Sequence, residues 1–191
     1  MPTQPRARAT VDAIVLAAAH ILRTEGRDAL STNRIARLAG VSIGSLYQYF
    51  RNKGDVLDEL RARHGDWFER EMREGIERGA ALPLREGVRA SISRMVDLHR
   101  VDPPLHRAVS ATRQPLSSEE LAEFRGRTAE YLRANASQLR PVDPELAAVI
   151  ITRATEALVH GLSLDEPEWL EHPGLVDEVT ELIVGYLAPR S

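Results

Sequence analysis

The chain has 191 residues, 43% hydrophobic and 28% charged, with a formal net charge of −3. That allows one sizeable core, or a small module joined to a larger one, in an ordinary globular composition. The absence of cysteine excludes disulfides and thiolate chemistry. The basic start "MPTQPRARAT" leads into no apolar core of a secretory signal, and no run is read as long enough to cross a bilayer.

Charge is spread unevenly along the chain. Arg6, Arg8, Arg23, Arg27, Arg34, Arg37, Arg51 and Lys53 stand against Asp12, Glu25 and Asp28 in residues 1–53, and the remainder is acidic. A basic head on an acidic body suits a polyanion-binding module joined to a part that does not bind, although such asymmetry also arises by chance.

Helical periodicity dominates, and no alternating run of strand length stands out. A first helix is predicted from about Thr10 to Thr24, apolar at Ile14, Ala17, Ala18, Ile21 and Leu22, with Gly26 as its stop. Ser31 or Thr32 caps a second helix carrying Ile35, Ala36 and Ala39, which ends at Gly40. Ser42 starts a short third helix, and a fourth runs from Asn52 or Lys53 toward Gly79. Beyond it, prolines separate Leu84–Arg100, Leu105–Thr112, Ser117–Leu139, Leu146–Leu164 and Leu175–Leu187, and "SSEE" has the look of a capping signature. The total is about nine helices.

The third helix raises the functional question. A segment barely two turns long does not persist alone in water. At 100° per residue, Leu46 and Phe50 share one face and can pack on the first two helices. Gly44 and Gln48 point the opposite way, Ser45 and Tyr47 flank them, and Tyr49 lies nearer the buried edge. Before it, Ala36-x-x-x-Gly40 supplies a small residue where helices cross and a residue tolerant of positive φ, with Val41 to plug the gap. Helix, glycine turn and steep second helix make a helix-turn-helix, whose second helix enters the DNA major groove. Lys53 and free amides at the start of the fourth helix would take a phosphate, and Thr32 and Asn33 could do the same on the other strand. The turn alone fits DNA binding and a plain helix crossing equally well. The basic head and the nearly charge-free polar face favour DNA.

"STNRIARLAGVSIGSLYQYFRNKGDVLDEL" closely resembles the N-terminal domain of TetR/AcrR-type transcriptional regulators, over about Thr10 to Leu60. The resemblance assigns DNA contact to Thr32, Asn33, Ser42, Ile43, Gly44, Ser45, Tyr47, Gln48, Tyr49 and Lys53. Tyr47 and Lys53 match phosphate-gripping positions, whereas Asn33, Ile43, Gly44 and Gln48 match base-reading ones. Position 33 is often arginine in relatives, so the base read by Asn33 is open.

"AAVIITRATEALVHGLSLDEPEWL" and "VDEVTELIVGYLAP" resemble, more loosely, the last two helices of one large subgroup, which pair with their twins as a four-helix bundle. That implies a homodimer seam at Ile150, Ile151, Ala154, Ala157, Leu158, Gly161, Val179, Leu182, Ile183 and Tyr186. The alternative is burial of these residues within a monomer. The family's effector pocket would draw on His64, Trp67, Phe68, Met95, His99, Phe124, Tyr131, Arg153 and Glu156, each of which core packing would also explain. Glu156 and His160, at i and i+4, fit a ligand contact or, preferred here, a salt bridge at the dimer seam.

No H-E-x-x-H, G-x-S-x-G or phosphate-cradling glycine loop occurs, and Glu119–Glu120 reads as helix N-terminal charge. No catalytic residue, metal ligand or cofactor is therefore assigned. A helical protein whose basic head meets RNA or another protein is the rival from a different class, though only Tyr47 and Tyr49 could serve as a stacking platform. The sequence thus reads as an all-α DNA-binding transcriptional regulator with a helix-turn-helix domain at 1–53. A helical effector-binding and dimerisation domain follows at 54–191, with the fourth helix shared. It would be a bacterial, cytoplasmic homodimer on a pseudo-palindromic operator, without membrane contact. A small, apolar molecule of unknown identity would control it, as a repressor or, alternatively, an activator. One lysine against 24 arginines fits a GC-rich bacterial source.

Overall fold

The computed structural model describes residues 5–110 and 118–189, and no strand occurs among them. The helices are α1 (Pro5–Glu25), α2 (Thr32–Leu38), α3 (Ile43–Tyr47), α4 (Lys53–Ala80), α5 (Leu84–Val101) and α6 (Pro103–Ser110). After them come α7 (Ser118–Ala134), α8 (Pro144–Thr155), α9 (Gly161–Asp165), α10 (Pro167–Leu170) and α11 (Leu175–Leu187). A π-helical turn, Glu156–His160, joins α8 to α9 without a break. With that stretch counted once and the single turn α10 left aside, the described helices number the nine expected. Part of the "SSEE" signature and the end of Leu105–Thr112 fall outside the described residues.

Packing divides the chain into two compact units. The first contains described residues 5–67 and 102–110, the second 68–101 and 118–189. The division falls inside α4 and between α5 and α6, whereas the sequence reading drew a functional boundary after residue 53.

In the first unit, α1 turns Val11, Ile14, Val15, Ala18, Ile21 and Leu22 inward at helical spacing. They form one core with Leu30, Ile35, Leu46, Phe50, Val56, Leu57 and Leu60. Each large aliphatic side chain buried there contributes about 1.5–3 kcal/mol. Helix α6 belongs to this unit because Val109 is buried in the same core, with Leu105 and Ala108 packed against it. Asp102 caps α6 through the Leu105 N–H at 3.2 Å and meets Arg23 of α1 at 2.5 Å. Arg63 of α4 reaches Asp12 of α1 at 2.6 Å.

The second unit has two apolar clusters. Ala129 and Leu132 of α7, Ala147 and Ala148 of α8, and Ile183 and Leu187 of α11 form one. Ile92 and Val96 of α5 form the other with Val159, Leu170 and Val179. Asp143 caps α8, accepting the Glu145 and Leu146 N–H groups at 2.9 and 3.1 Å. These bonds, the Leu146 one foremost, hold its carboxyl below the usual carboxylate range. Arg140 donates to the Tyr186 carbonyl at 2.5 Å and stacks over that ring at 4.5 Å.

One expectation needs correction. Because the π-helical turn makes Pro144–Asp165 continuous, the chain does contain a 22-residue helix long and apolar enough, by length and composition alone, to cross a membrane. Only 28% of its most apolar stretch is buried inside the chain. Its inner side, at Ala147, Ala148, Thr155 and Val159, is buried in the unit's own interior.

In the second unit α4 and α5 cross at Gly79 and Gly87. A Cβ added at Gly87 would lie 2.5 Å from the Gly79 carbonyl oxygen, so the contact exists only because neither residue has a side chain there. Gly87→Ala is expected to lower stability by about 1–3 kcal/mol through overpacking. Thermal melting followed by circular dichroism checks this, and an unchanged midpoint contradicts it.

Candidate nucleic-acid interface

The polar face is carried by short elements, each started and stopped by an identifiable contact. Ser31 caps α2, its oxygen accepting the Arg34 N–H at 3.3 Å. At the far end, Val41 N–H donates to the Ala36 carbonyl at 3.0 Å and Gly40 N–H to the Arg37 carbonyl at 3.3 Å. With Gly40 at φ 68° these bonds make a Schellman closure, which turns the chain out of α2. Val41 packs against the core that holds Ala36, the plug that the spacing predicts. Ser42 then caps α3, accepting the Ser45 N–H at 3.0 Å while the two hydroxyls pair at 2.8 Å.

Leu46 is fully buried and Phe50 is 7% exposed, so the aliphatic and aromatic anchors hold α3 from behind. In front, Ile43, Gly44, Tyr47 and Gln48 face solvent, with Tyr47 52% exposed. Ser42, Asn33 and Lys53 are exposed as well, whereas Thr32, Ser45 and Tyr49 are half-buried. Tyr49 packs on the core rather than standing out from it. The Tyr47 hydroxyl lies 3.4 Å from Thr32 Oγ1, so the front of α3 and the start of α2 meet at the surface.

The start of α4 departs from expectation. The Lys53 ammonium donates to the Leu30 carbonyl at 3.2 Å, tying α4 to the segment before α2. Two of its three donors remain for a phosphate. The amides expected to be free are partly occupied: Asn52 Oδ1 accepts Gly54 and Asp55 N–H at 2.6 and 3.2 Å. Asp55 in turn accepts the Arg51 backbone N–H and Nε at 2.9 and 3.1 Å, and these bonds hold its pKa below the usual value. Asn52 is a cap the sequence reading named only as a helix boundary. An asparagine directly before a helical run was the available signal.

The residues expected to line an effector pocket fall in both units. His64 and Trp67 belong to the first, their ring centroids 5.7 Å apart, and His64 Nε2 lies 3.1 Å from Nδ1 of His106, a partner the sequence did not suggest. Phe68, Met95 and His99 come together in the second, where Phe68 meets His99 at 5.1 Å between centroids and His99 bonds to the Met95 carbonyl. Phe124 is half-buried. The Tyr131 hydroxyl is buried beside Gly87 with no hydrogen-bond partner among the described residues, and burial pushes its pKa up. Glu156 finds a partner other than the expected His160. Glu156 pairs with Arg153 at 2.9 Å, and the π-helical turn brings His160 to His99 at 3.2 Å instead.

The expected dimer residues divide by exposure. Ile150 and Leu182 are 41% and 54% exposed, and Ala157 is exposed too. Ile151, Ala154, Leu158, Gly161 and Tyr186 are half-buried. Val179 and Ile183 are buried in their own unit's clusters, so they do not present a surface to a partner. Exposed Leu146 and Val149, absent from the expected set, extend the apolar side of α8.

An all-α chain whose first unit sets a capped helix, a glycine turn and a braced short helix toward solvent defines a helix-turn-helix protein. Residues 83–187 match the family described as Tetracyclin repressor-like, C-terminal domain, and residues 14–60 match Bacterial regulatory proteins, tetR family. The chain belongs to the TetR family, as the sequence motif implies, and is a DNA-binding transcriptional regulator. It is 22% identical over 153 residues to YhgD, an uncharacterized HTH-type transcriptional regulator of Bacillus subtilis, covering 74% of this chain and 78% of that one. Among solved structures it resembles SmeT, the repressor of the Stenotrophomonas maltophilia multidrug efflux pump SmeDEF, at 21% identity and TM-score 0.70 over 97% and 93% of the two chains. A SmeT–triclosan complex is also similar, at 21% identity and TM-score 0.66 over 96% and 93%. The fatty acid degradation regulator FadR of Bacillus halodurans aligns over the whole of both chains at 22% identity and TM-score 0.67.

The half-buried His64 generates a pH prediction. Burial disfavours its charged form and outweighs the nearby Asp102, so its pKa lies below the ordinary value. The unfolded ring, titrating near 6.5, then binds protons more readily than the folded one. Stability is present above about pH 6.5 and is lost as pH falls toward the folded value. Melting temperatures between about pH 7.5 and pH 5.5 are expected to fall less in His64→Gln than in the parent. Equal slopes contradict this.

Proposed function

We propose that the chain is a ligand-responsive repressor that binds a pseudo-palindromic operator as a homodimer in the bacterial cytoplasm, with one α3 in each of two successive major grooves. The observation that carries this reading is the front of α3: exposed, polar and uncharged at Tyr47 and Gln48, with Leu46 fully buried behind it. Gln48 and Asn33 have the amide groups that read base edges, and Tyr47 and Lys53 suit phosphates. In this reading DNA binding resides in residues 1–53, and residues 54–191 supply dimerisation and effector binding. Exposed Leu146, Val149, Ile150 and Leu182 offer apolar area for a twin, supporting the dimer. The likeness to SmeT, solved with triclosan, supports a small-molecule effector for this chain. Helix α4 carries the chain from one unit into the other. An effector that binds one conformation better would then bias the spacing of the two heads through it.

The test is binding to duplexes selected from a random pool. Gln48→Ala is expected to lose about 1–3 kcal/mol of preference for the selected site while keeping its affinity for random duplex. Lys53→Ala is expected to weaken binding to both and to reduce the salt slope by about 1. Equal losses on specific and random duplex from Gln48→Ala would remove its base-reading role. Selected sites without two related half-sites would remove the homodimer.

A further inference from the structure

His99 of α5 is buried in the second unit at 1% exposure, and its tautomer is set by its surroundings. Its Nδ1 lies 2.7 Å from the Met95 carbonyl oxygen. A carbonyl only accepts, so Nδ1 carries the hydrogen and Nε2 of the neutral ring keeps its lone pair. That nitrogen lies 3.2 Å from Nδ1 of His160. Phe68 packs against His99 at 5.1 Å between ring centroids, with the rings nearly perpendicular. Val96 and Val159, each three positions from one of these histidines in sequence or fewer, are fully buried.

His160 ends the π-helical turn that joins α8 to α9. Such a turn adds a residue to the helical repeat, re-aims the side chains after it, and is frequent at functional sites. A hydrogen bond between two neutral imidazoles would also bring their nitrogens to this distance. The backing is what favours another occupant. A histidine whose far nitrogen is fixed by a backbone carbonyl has the outer contact of a metal ligand. Two nitrogens held at about 2.0–2.1 Å by one tetrahedral zinc ion lie roughly 3.3 Å apart, close to the observed spacing.

We infer that His99 Nε2 and His160 Nδ1 form a two-imidazole binding site for a borderline divalent transition-metal cation such as Zn²⁺. Binding needs no net proton release from neutral rings. Without metal, His160 Nδ1–H donates to the His99 Nε2 lone pair. On binding, that hydrogen moves through solvent to Nε2 of His160, and the freed Nδ1 lone pair and that of His99 Nε2 both turn to the ion. Water or further donors complete the coordination. The sequence assigned His99 to an apolar effector pocket and no residue to a metal, because the pairing joins positions 61 apart and depends on the irregular turn.

The experiment titrates metal-free full-length protein with Zn²⁺ against a chromophoric chelator, and separately with Co²⁺ followed by visible d–d absorption. The parent is expected to bind Zn²⁺ saturably and to give the intense bands of tetrahedral Co²⁺. His160→Gln is expected to lose at least tenfold in affinity. His20→Gln and His172→Gln, which alter exposed rings, are expected to keep the parent's affinity. Circular dichroism of the metal-free variants verifies that each is folded. Zn²⁺ affinity retained in folded His160→Gln would overturn the site. So would a parent that binds no Zn²⁺, or one whose Co²⁺ spectrum keeps the weak bands of the hydrated ion, and these two readouts need no variant.

Discussion

Five residues cannot sustain a helix in water, because the cost of nucleating one turn is barely offset by the few bonds it closes. Helix α3 persists because Leu46 and Phe50 insert into a core already formed by α1, α2 and α4. Burial of two such side chains is worth several kcal/mol, more than the helix could supply from its own hydrogen bonds. The caps do the rest. Ser42 opens the helix, and the Schellman closure at Gly40 sets where it can begin. Since the hold is entirely from behind, the front of α3 is released from structural duty and can be polar, exposed and free of charge.

The same logic explains which parts could be read from residues alone. Both glycine stops lie at positive φ, and the α3 anchors are buried, because stops, caps and helical faces depend on neighbours within a turn or two. Pairings between distant segments left no such mark. His64 with His106 and His99 with His160 are 42 and 61 positions apart, and nothing in the helical period announces either. The capture of α6 by the first unit rests on Val109 and on Asp102 meeting Arg23, again across a long separation. Glu156 misled for a local reason. An i, i+4 partner was assumed on a regular helix, and the π-helical turn there breaks the register.

Helix α8 carries two demands at once. Its inner side packs Ala147 and Ala148 against α7 and α11, where small side chains permit close approach. Its outer side keeps Leu146, Val149 and Ile150 exposed, and Leu182 is exposed on α11. Val179 and Ile183 of α11, read from the sequence as seam residues, are buried in the unit's own clusters. A period-3.6 pattern identifies apolar residues on a helix but not which of two apolar faces meets the chain's own core.

The absence of native cysteine makes the decisive measurement direct. Gln48→Cys places a single thiol at the front of α3, and its alkylation rate by a small maleimide can be followed with and without the duplex the protein selects from a random pool. Fast reaction in the free protein, strongly suppressed by the selected duplex but not by an effector-sized competitor, is the outcome expected if this face enters the groove. Slow reaction without DNA would mean that the face is covered by protein. A rate unchanged by saturating duplex would mean that DNA binds elsewhere.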